Sequence, residues 1–381
     1  MESPGKKRYS FPHRIVWVLN LCFIFALLLS YLSCYVSPAD VWWLAFFGLA
    51  YGTLLVINLV FVALWIWRRS RKFIASLLVC LTGTGQFLNI YEPGFFQAKA
   101  PDKDRYIQPL RVMSFNVRLF DLYDWEEKKS SADSIYHFLR AEAPDIVCFQ
   151  EFFSGDPQGK GPRTADTLHR VLEAPFAHLR YSATVKRLGS FGLATYSKYP
   201  IIHQGFHRFK SRTGNIFQYT DIVVGEDTVR VFNTHLESIR FKKEDYYFIE
   251  NLGNEEVEQD ELAGSMNILR RLKRAFLKRS YQAETIRDFV HNSPYRVILC
   301  GDFNDTPVSY THHLLAQELK DAFRISGAGW GRTYSGSFPS FRIDYILHDK
   351  NMKSFGYTTH KIELSDHYPV SCFISWKRPG L

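Results

Sequence analysis

The stretch Tyr295 to Pro307, YRVILCGDFNDTP, has the composition of a buried strand that ends abruptly in polar side chains. Its first six residues are apolar or β-branched enough to favour a strand. Asp302, Asn304 and Asp305 follow almost at once. A strand-end Asp or Asn is more often a turn former or a helix cap than a functional residue. A functional role for this group therefore requires that other strands end in the same way.

Five further segments carry polar groups at a strand end. The runs LRVMSFN, DIVCFQE and TVRVFNTH finish in such groups, whereas RIDYIL and SDHYPVSCFI begin with them. If these groups meet at one edge of the sheets, the last two strands must run antiparallel to the earlier ones. The side chains concerned are Asn116, Glu151 and His235 at strand ends, and Asp344, Asp366 and His367 at strand starts.

Short β-rich runs recur from residue 110 to residue 381, separated in places by helical stretches. The clearest helical patterns cover Ser131 to Ala141 and Leu262 to His291. This alternation predicts a single mixed α/β domain of the α+β type, built from two sheets.

The ordered motifs SFNVR, QE, NTHLES, GDFND, RIDYIL and SDHYPV resemble those of the endonuclease/exonuclease/phosphatase superfamily, the DNase I-like metal-dependent phosphoesterases. The resemblance covers about Leu110 to Trp376 and is closest in kind to membrane-anchored bacterial members. It implies a DNase I-like four-layer sandwich of two mixed β-sheets flanked by helices. It also implies hydrolysis of a phosphoester bond by a water that the enzyme activates with the help of a metal ion.

The same resemblance implies a magnesium site, with Mn²⁺ as the alternative ion. Such hard cations take oxygen ligands and keep several waters, and they neutralise charge that develops on phosphate. Glu151 is the first candidate ligand. Asn116 and Asp366 would complete the site, directly or through water.

The remaining groups are expected to move protons or orient the reactants. Asp302 can accept the proton of the attacking water, and Asn304, two residues on and thus on the same side of a strand, can orient the water or the phosphate. By resemblance, His367 would act on a phosphate oxygen with Asp344 fixing its tautomer, and His235 would contact the phosphate from the other side. The roles of the two histidines could be exchanged. The sequence shows no evident carboxylate partner for His235.

Residues 1–92 contain three long uncharged runs, which predict a membrane anchor ahead of the soluble domain. The expected transmembrane helices cover residues 15–36, 41–67 and 73–91, and a proline-punctuated linker follows over residues 93–109. The third run contains Thr, Gly, Gln and Asn, so a re-entrant segment and an interfacial helix remain alternatives to a span.

Basic residues flank the first two runs on the sides that should face the cytoplasm. If the third run also spans, the catalytic domain lies on the periplasmic or extracytoplasmic side of the cell (inner) membrane; if not, it is cytoplasmic. The flanking residues are Lys6, Lys7, Arg8 and Arg14 before the first run, and Arg68, Arg69, Arg71 and Lys72 after the second.

The formal charge of +9 is mostly a feature of the anchor. Residues 1–100 hold nine Lys or Arg and three Asp or Glu, a net of +6, which leaves only +3 for the rest. This is not the strongly basic balance of a nucleic-acid-binding domain. The six cysteines show no paired spacing, which argues against a disulfide framework or a zinc site.

The expected partners are a phosphoester substrate, either nucleic acid or a phospholipid headgroup, and the lipid bilayer; no obligate protein partner is evident. For a nuclease, residues 207–219 and the basic helix at Arg270 to Arg279 are the candidate contacts. The alternatives are a lipid-headgroup phosphodiesterase or phosphatase of the sphingomyelinase or inositol-phosphatase kind, and a non-catalytic membrane receptor for phosphorylated ligands.

Overall fold

A computed structural model of the chain describes residues 11–95, 98–102, 105–121, 132–156, 163–185, 188–209, 214–240, 261–336 and 341–378. Within these ranges the chain forms an N-terminal helical region and a two-sheet domain. A short linker and a two-stranded ribbon join the two parts.

The helical region contains five helices: α1 (Phe11–Leu32), α2 (Leu44–Leu49), α3 (Tyr51–Trp67), α4 (Phe73–Thr82) and α5 (Thr84–Ile90). Of the described helices, α1 alone is long and apolar enough to cross a membrane by itself, while α3 has 17 residues. Helices α4 and α5 qualify only as one span bent by 59°. The second and third predicted spans are therefore both interrupted, at Ala50 and at Gly83.

The bend at Gly83 has a packing cause. A Cβ atom at this position would lie 2.2 Å from the Tyr31 hydroxyl, which donates a hydrogen bond to the Val79 carbonyl over 2.9 Å. Tyr51 donates from its own hydroxyl to the Gly83 carbonyl. The absence of a side chain lets two tyrosines approach the backbone at the break.

The helical region differs from a soluble core because it exposes large apolar side chains and buries polar ones beside an apolar cluster. Large apolar side chains point outward, among them Val18, Phe25 and Val60. Asn20 is fully buried, where its amide donates to Ser76 Oγ and its oxygen accepts from Trp65 Nε1, both over 2.7 Å. An apolar exterior around a hydrogen-bonded polar interior is typical of helices that pack in lipid.

The two-sheet domain is formed by two six-stranded sheets with strand orders β10-β12-β9-β8-β7-β6 and β13-β14-β2-β3-β5-β4. A ribbon of β1 and β11 is separate from both. The strands are β1 (Tyr91–Glu92), β2 (Leu110–Asn116), β3 (Ile146–Gly155), β4 (Phe176–Val185), β5 (Gly189–Ser197), β6 (Ile201–Arg208), β7 (Ile216–Val224), β8 (Asp227–His235), β9 (Arg296–Asp302), β10 (Leu319–Asp321), β11 (Gly329–Trp330), β12 (Asp344–Asp349), β13 (Met352–Thr359) and β14 (Val370–Trp376).

Each sheet contains one parallel pair, β2 with β3 and β8 with β9, and the other pairings are antiparallel. Strand β12 runs antiparallel to β9, with Asp344 opposite Asp302, and β14 runs antiparallel to β2. The predicted reversal of the last two strands is therefore confirmed. It brings strand ends and strand starts to the same edge.

Four helices cover the outer faces of the sheets: α6 (Ala132–Glu142), α7 (Thr164–Val171), α8 (Glu261–His291) and α9 (Tyr310–Ala316). The short helix α10 (Ala322–Ser326) instead packs Ala322 and Phe323 into the core between the sheets. One apolar core lies between the sheets, a second lies under α6 and α7, and a third lies under α8 and α9. This is the predicted four-layer sandwich of two mixed sheets flanked by helices.

The helical region contacts the sandwich at the end where α1 leads into α2 and α3. Phe46 packs edge-on against Phe276 of α8 at 5.2 Å, and the Lys273 ammonium lies 4.1 Å from the centre of the Trp42 ring. Val308, just after the GDFND turn, belongs to the apolar cluster of the helical region. The ribbon adds backbone pairing, with Tyr91 opposite Trp330. The helices therefore contact the domain next to its polar strand ends.

Candidate active site

Asp302 lies at the centre of the polar cluster, at the end of β9, with 1% of its surface exposed. Its Oδ2 accepts a hydrogen bond from Asn116 Nδ2 over 3.0 Å, and its Oδ1 accepts one from the Asn304 backbone N–H over 2.8 Å. The preceding Gly301 is required by close packing, because a Cβ there would lie 2.1 Å from the Thr234 carbonyl oxygen. The glycine of the GDFN motif thus allows β9 to lie close to β8, and the Asp302 carboxylate follows it directly.

His367 and Asp344 form a buried pair beside Asp302. His367 Nδ1 lies 2.9 Å from Asp344 Oδ2, and His367 Nε2 lies 3.7 Å from Asp302 Oδ2. A proton on Nδ1 donated to Asp344 leaves Nε2 directed toward Asp302. The predicted role of Asp344 in fixing the tautomer of His367 thus has a matching geometry.

His235 stands on the other side of Asp302 and has the carboxylate neighbours that the sequence did not reveal. Its Nε2 lies 3.6 Å from Asp302 Oδ2 and 3.8 Å from Glu151 Oε1. The pairing of β8 with β9 places His235 directly opposite Asp302. Two histidines therefore flank one buried carboxylate.

The sequence predicted that Glu151 ends its strand, but in the structure it does not. Strand β3 continues to Gly155, and its pairing with β5 shifts register between Phe149 and Phe152. Glu151 lies in that bulge with φ 49°, a conformation unfavourable for residues with a side chain. Strained backbone of this kind is concentrated at functional sites, and here it leaves the carboxylate partly exposed.

Asn116 and Asp366 lie near each other at the ends of β2 and β14. Ser365 Oγ connects them: it donates to the Asn116 carbonyl over 2.9 Å and lies 3.2 Å from Asp366 Oδ1. Asp366 Oδ2 is also 3.6 Å from Arg118 Nε. Asn116 Oδ1 accepts from the Arg118 backbone N–H. Glu151 follows Gln150, the residue of β3 that pairs with Asn116. The three predicted metal ligands therefore come from neighbouring segments at one side of the site.

Asn304 occupies a position different from the one predicted. Strand β9 ends at Asp302, so the two side chains do not share a strand face, and that part of the prediction is wrong. Asn304 has φ 52°, and its Nδ2 donates to the Leu236 carbonyl over 3.1 Å. Asp305 pairs with Arg279 Nε over 3.1 Å, so it anchors α8 in addition to forming the turn.

Burial and charge shift the proton equilibria of the central pair. Burial raises the pKa of Asp302 to about 6, although the nearby His367 and His235 act in the opposite direction. Burial alone would lower the pKa of His367, but the carboxylates of Asp344 and Asp302 raise it well above its usual value. Near neutral pH this favours a charged Asp302 beside a protonated His367.

Three supporting residues were missed at the sequence level. Thr333 Oγ1 accepts from the backbone N–H groups of Ile343 and Asp344, which fixes the start of β12. The Tyr334 ring packs edge-on against the His367 imidazole at 5.3 Å. Ser365 is the first residue of the SDH motif, and its place in that motif was the one sequence feature that could have identified it. Thr333 and Tyr334 lie in a loop without any strand pattern.

Two sets of side chains are candidates to hold a divalent cation. Glu151, Asn116 and Asp366, the predicted ligands, offer the oxygen donors that Mg²⁺ requires. In the second set, Asp302, Asp344 and His367, the ligand-capable atoms all lie within 4.8 Å of one another. Both sets have internal partners: His367 Nδ1 contacts Asp344 Oδ2 in the second, and Arg118 contacts Asn116 Oδ1 and Asp366 Oδ2 in the first. The first set consists of oxygen donors alone, whereas the second includes an imidazole nitrogen, which suits hard cations poorly.

Comparison with known proteins agrees with this geometry. The family model described as Endonuclease/Exonuclease/phosphatase family matches residues 113–367, and a domain of unknown function matches residues 13–90. No curated protein matches the chain.

Two solved structures show the same fold. A crystal structure of an endonuclease/exonuclease/phosphatase from Beutenbergia cavernae DSM 12333 has a TM-score of 0.50 at 19% identity, covering 70% of this chain and 71% of its own. One from Bacteroides vulgatus has a TM-score of 0.50 at 17% identity, covering 70% and 98%. The fold is thus the DNase I-like sandwich, and with two thirds of its length matched, the chain belongs to the endonuclease/exonuclease/phosphatase family, whose members hydrolyse phosphoester bonds.

Proposed function

We propose that this protein is a membrane-tethered, metal-dependent phosphoesterase. The observation that carries the proposal is the buried Asp302, flanked by His235 and by the His367–Asp344 pair. A carboxylate held between two histidines at the end of converging strands is suited to proton transfer to and from water. A non-catalytic receptor would not need a buried base of this kind.

In this proposal Asp302 accepts the proton of the attacking water. Its pKa of about 6 leaves it mostly ionised at neutral pH yet more basic than an exposed aspartate. Protonated His367, held by Asp344, donates a hydrogen bond to a phosphate oxygen, and His235 contacts the phosphate from the opposite side. Asn304 fixes Asp302 Oδ1 through its backbone N–H, and its Nδ2 donates one hydrogen bond to the Leu236 carbonyl, which leaves Oδ1 and the second Nδ2 hydrogen available to the substrate or the water.

Glu151, Asn116 and Asp366 would hold Mg²⁺ or Mn²⁺. When bound, the ion would neutralise negative charge on the phosphate. Arg118, 3.6 Å from Asp366, would orient that carboxylate. Glu151 is fixed in its bulge and needs no large rearrangement to serve as a ligand.

We further propose that residues 1–92 form a multi-pass anchor, followed by the linker at 93–109 and the catalytic domain at 110–381. The outward-facing apolar side chains of α1, α3 and α4 support this arrangement. The Lys72 ammonium lies against Trp17 and Trp65, at the ends of α1 and α3 away from the turn to α2. The catalytic domain docks near the opposite end, on α2. If the basic residues face the cytoplasm, the catalytic domain at the opposite end lies on the extracytoplasmic side of the membrane.

The nuclease alternative receives less support from the basic helix. In α8, Lys273 lies over Trp42, Lys278 pairs with Glu237, and Arg279 is buried against Asp305. These three of the six cations between positions 270 and 279 are engaged within the chain, whereas Arg270 and Arg274 are exposed and could still contact phosphate. In the other candidate, residues 207–219, positions 210–213 lie outside the described residues.

The function is tested on the full chain in detergent with a soluble phosphodiester, bis(4-nitrophenyl) phosphate. We expect hydrolysis that needs Mg²⁺ or Mn²⁺ and stops on addition of EDTA. Glu151→Gln should raise the metal concentration needed for half-maximal rate at least tenfold. Hydrolysis that persists in EDTA would overturn the metal-dependent mechanism.

The orientation is tested separately by adding protease to intact spheroplasts. An outside catalytic domain should be degraded while a cytoplasmic marker protein stays intact. Full protection of the domain would mean that α4 and α5 do not cross the membrane together.

A further inference from the structure

Residues 329–335, here called the connecting segment, join the helical region to the candidate active site. The segment begins with β11, which pairs with β1 so that Tyr91 lies opposite Trp330. The Gly331 backbone N–H donates to the Ile90 carbonyl, at the end of α5, over 3.3 Å. Among the described residues, β11 pairs with no strand of either six-stranded sheet. The strand pairing of the connecting segment therefore comes from the chain that leaves the helical region.

The middle of the connecting segment fixes the start of β12. Thr333 is fully buried, and its Oγ1 accepts from the backbone N–H groups of Ile343 over 2.9 Å and Asp344 over 3.1 Å. The Thr333 carbonyl accepts a hydrogen bond from the Tyr368 backbone N–H over 2.7 Å. One residue thus binds both the strand start that carries Asp344 and the residue that follows His367.

The end of the connecting segment contacts the SDH motif directly. Tyr334 forms an antiparallel bridge with His367, and its ring packs edge-on against the imidazole at 5.3 Å. The Ser335 backbone N–H donates to the Asp366 carbonyl over 2.8 Å. The connecting segment therefore reaches from β1 to both members of the His367–Asp344 pair.

A buried arginine provides a second link between the helical region and β12. Arg342 lies two positions before Asp344. Its Nη2 donates to the Asn89 carbonyl of α5 over 2.8 Å and pairs with Asp321 over 2.7 Å. It also packs against the connecting segment, because a Cβ at Gly331 would lie 2.8 Å from the Arg342 Cδ. The end of α5 thus contacts both segments that hold the catalytic pair.

This arrangement makes the geometry of the pair sensitive to the pairing of β1 with β11. A two-stranded ribbon is only marginally stable by itself, so its pairing depends on the contacts around it. A displacement of about 1 Å at a reacting group can lower a rate about 10²-fold. The Trp330 ring, in contrast, is 61% exposed and contributes little to the folded core. Loss of the pairing should therefore affect the reaction far more than the stability of the domain.

We propose that the helical region positions the His367–Asp344 pair through the connecting segment, so that it sets the geometry of the active site in addition to tethering it. Tyr91 and Trp330 are positioning residues in this arrangement, because their pairing holds the start of the segment. The inference rests on the proposed phosphoesterase function. It adds two residues, remote from the reacting groups, on which the rate depends.

The test uses a disulfide that is opened and closed in one protein. Tyr91 and Trp330 lie directly opposite each other in an antiparallel pair, a spacing that a disulfide can span. The double variant Tyr91→Cys/Trp330→Cys loses the contact of the two rings, whose centres are 4.9 Å apart. Oxidation then restores a link across the ribbon. Hydrolysis of bis(4-nitrophenyl) phosphate by the full chain is measured with and without reductant.

The reduced double variant should show a kcat at least tenfold below that of the wild type, with KM changed less than twofold. This split is expected because a displaced His367–Asp344 pair loses contacts to charge that develops in the transition state. Oxidation should return kcat to within threefold of the wild-type value. Recovery on closing the ribbon distinguishes positioning from a simple loss of the two side chains.

Phe355→Cys/Phe373→Cys is the matched control. These two residues also lie opposite each other in an antiparallel pair, β13 with β14, and their rings stack at 5.3 Å. They lie outside the connecting segment and the ribbon. Both the reduced and the oxidised form of this variant should keep kcat within twofold of the wild-type value.

Hydrogen exchange read by mass spectrometry gives a second measurement that does not need activity. The backbone amides of residues 333–335 and of Tyr368 should exchange faster in the reduced Tyr91→Cys/Trp330→Cys protein than in the oxidised one. In the control variant the two forms should exchange these amides at equal rates.

The outcomes separate the two proposals. A reduced form within twofold of the wild-type kcat, or an oxidised form as slow as the reduced one, overturns the positioning role and leaves the phosphoesterase intact. No hydrolysis by the wild type with Mg²⁺ or Mn²⁺ overturns the enzymatic function instead. In that case equal exchange in the reduced and oxidised forms would also reject the coupling of the helical region to the connecting segment.

Discussion

The helical region exposes many large apolar side chains and buries polar ones beside its apolar cluster, whereas the catalytic domain has extensive apolar cores between and beside its sheets. Val60 of α3 is 61% exposed, while Asn20 of α1 is fully buried. Between the two sheets, by contrast, the core is formed by residues such as Val231, Ile298 and Ile374, all fully buried. The contrast supports the proposal that residues 1–92 form a membrane anchor.

The largest effect is expected from substitution of Asp302, the buried carboxylate at the centre of the candidate active site. Asp302→Asn keeps the shape and removes the base, so hydrolysis of a soluble phosphodiester should fall roughly 10²- to 10⁴-fold. Because the pKa of Asp302 is raised in the folded state, its ionised form is disfavoured by folding, and the variant should unfold at the same temperature or higher. Enzyme assays and thermal unfolding check both points.

Asp349→Asn, at the other end of β12, is the control for this change. It keeps an acceptor for the Asn351 backbone N–H and should retain full activity. An Asp302→Asn protein with more than a tenth of wild-type activity would remove Asp302 from the mechanism.

A second experiment places the same charge on the surface of each region. Val60→Arg puts a guanidinium near the middle of α3 and should disfavour membrane insertion by about 2.5–3.5 kcal/mol. Ile202, on edge strand β6, is 57% exposed, and Ile202→Arg should change stability by less than about 0.5 kcal/mol. Carbonate extraction and protein yield measure the difference. Equal tolerance of both substitutions would mean that the helical region does not lie in lipid.

The third prediction concerns pH and the catalytic domain. Burial, with Arg180 nearby, lowers the pKa of His178 to about 4, and His178 Nδ1 contacts Thr220 Oγ1 of the facing sheet over 2.9 Å. An unfolded histidine takes up its proton near pH 6.5, so the domain should keep its full stability above that pH. It should lose up to ~3 kcal/mol as pH falls toward 4.

Hydrogen exchange read by mass spectrometry at pH 4.5 to 7.5 distinguishes the two regions. Protection should fall in β4 and β7 while α1 and α3 keep theirs. His178→Gln should flatten the pH dependence, and an unchanged slope in that variant would assign the effect to other groups.

The smallest effect is expected inside the helical region. Asn20→Leu removes the hydrogen bonds to Ser76 and Trp65 with little change in volume. Interhelical hydrogen bonds in membranes contribute about 0.6 kcal/mol each, so a loss of about 1 kcal/mol is expected. Unfolding of the reconstituted protein in SDS measures it. A loss of more than about 3 kcal/mol in unfolding free energy would indicate that this helix contact behaves as in the core of a soluble protein, and would contradict the prediction.

The two-sheet domain was predictable because its central strands are long, apolar and marked by polar ends, and the four-layer sandwich followed from the resemblance of its motifs to the family. Strands β6 and β13 were not anticipated, since both lie at sheet edges and carry mixed exposed residues such as His203 and Lys353. Edge strands pack on one side only, and alternation of apolar and polar residues is weaker there. The helical patterns at Ser131 to Ala141 and Leu262 to His291 correspond closely to α6 and α8.

The chemistry of the site was predictable by residue type, but its geometry was not. The bulge at Glu151 and the turn at Asn304 both use positive φ at residues with side chains, which only the surrounding structure can enforce. The breaks at Ala50 and Gly83 likewise depend on contacts between helices, such as Tyr31 against Gly83. The polar and glycine residues around Gly83 allowed a re-entrant segment as an alternative, but the run around Ala50 carries no local signal of a break.

The bond from Ser365 to Asn116 joins residues 249 positions apart, and it has a consequence for biogenesis. Contacts so distant in sequence form late, because the intervening chain must first be ordered. If residues 1–92 form the proposed anchor, its helices can insert before the proposed active site is assembled. That site is complete only when β14 has paired with β2, after nearly the whole polypeptide has been made.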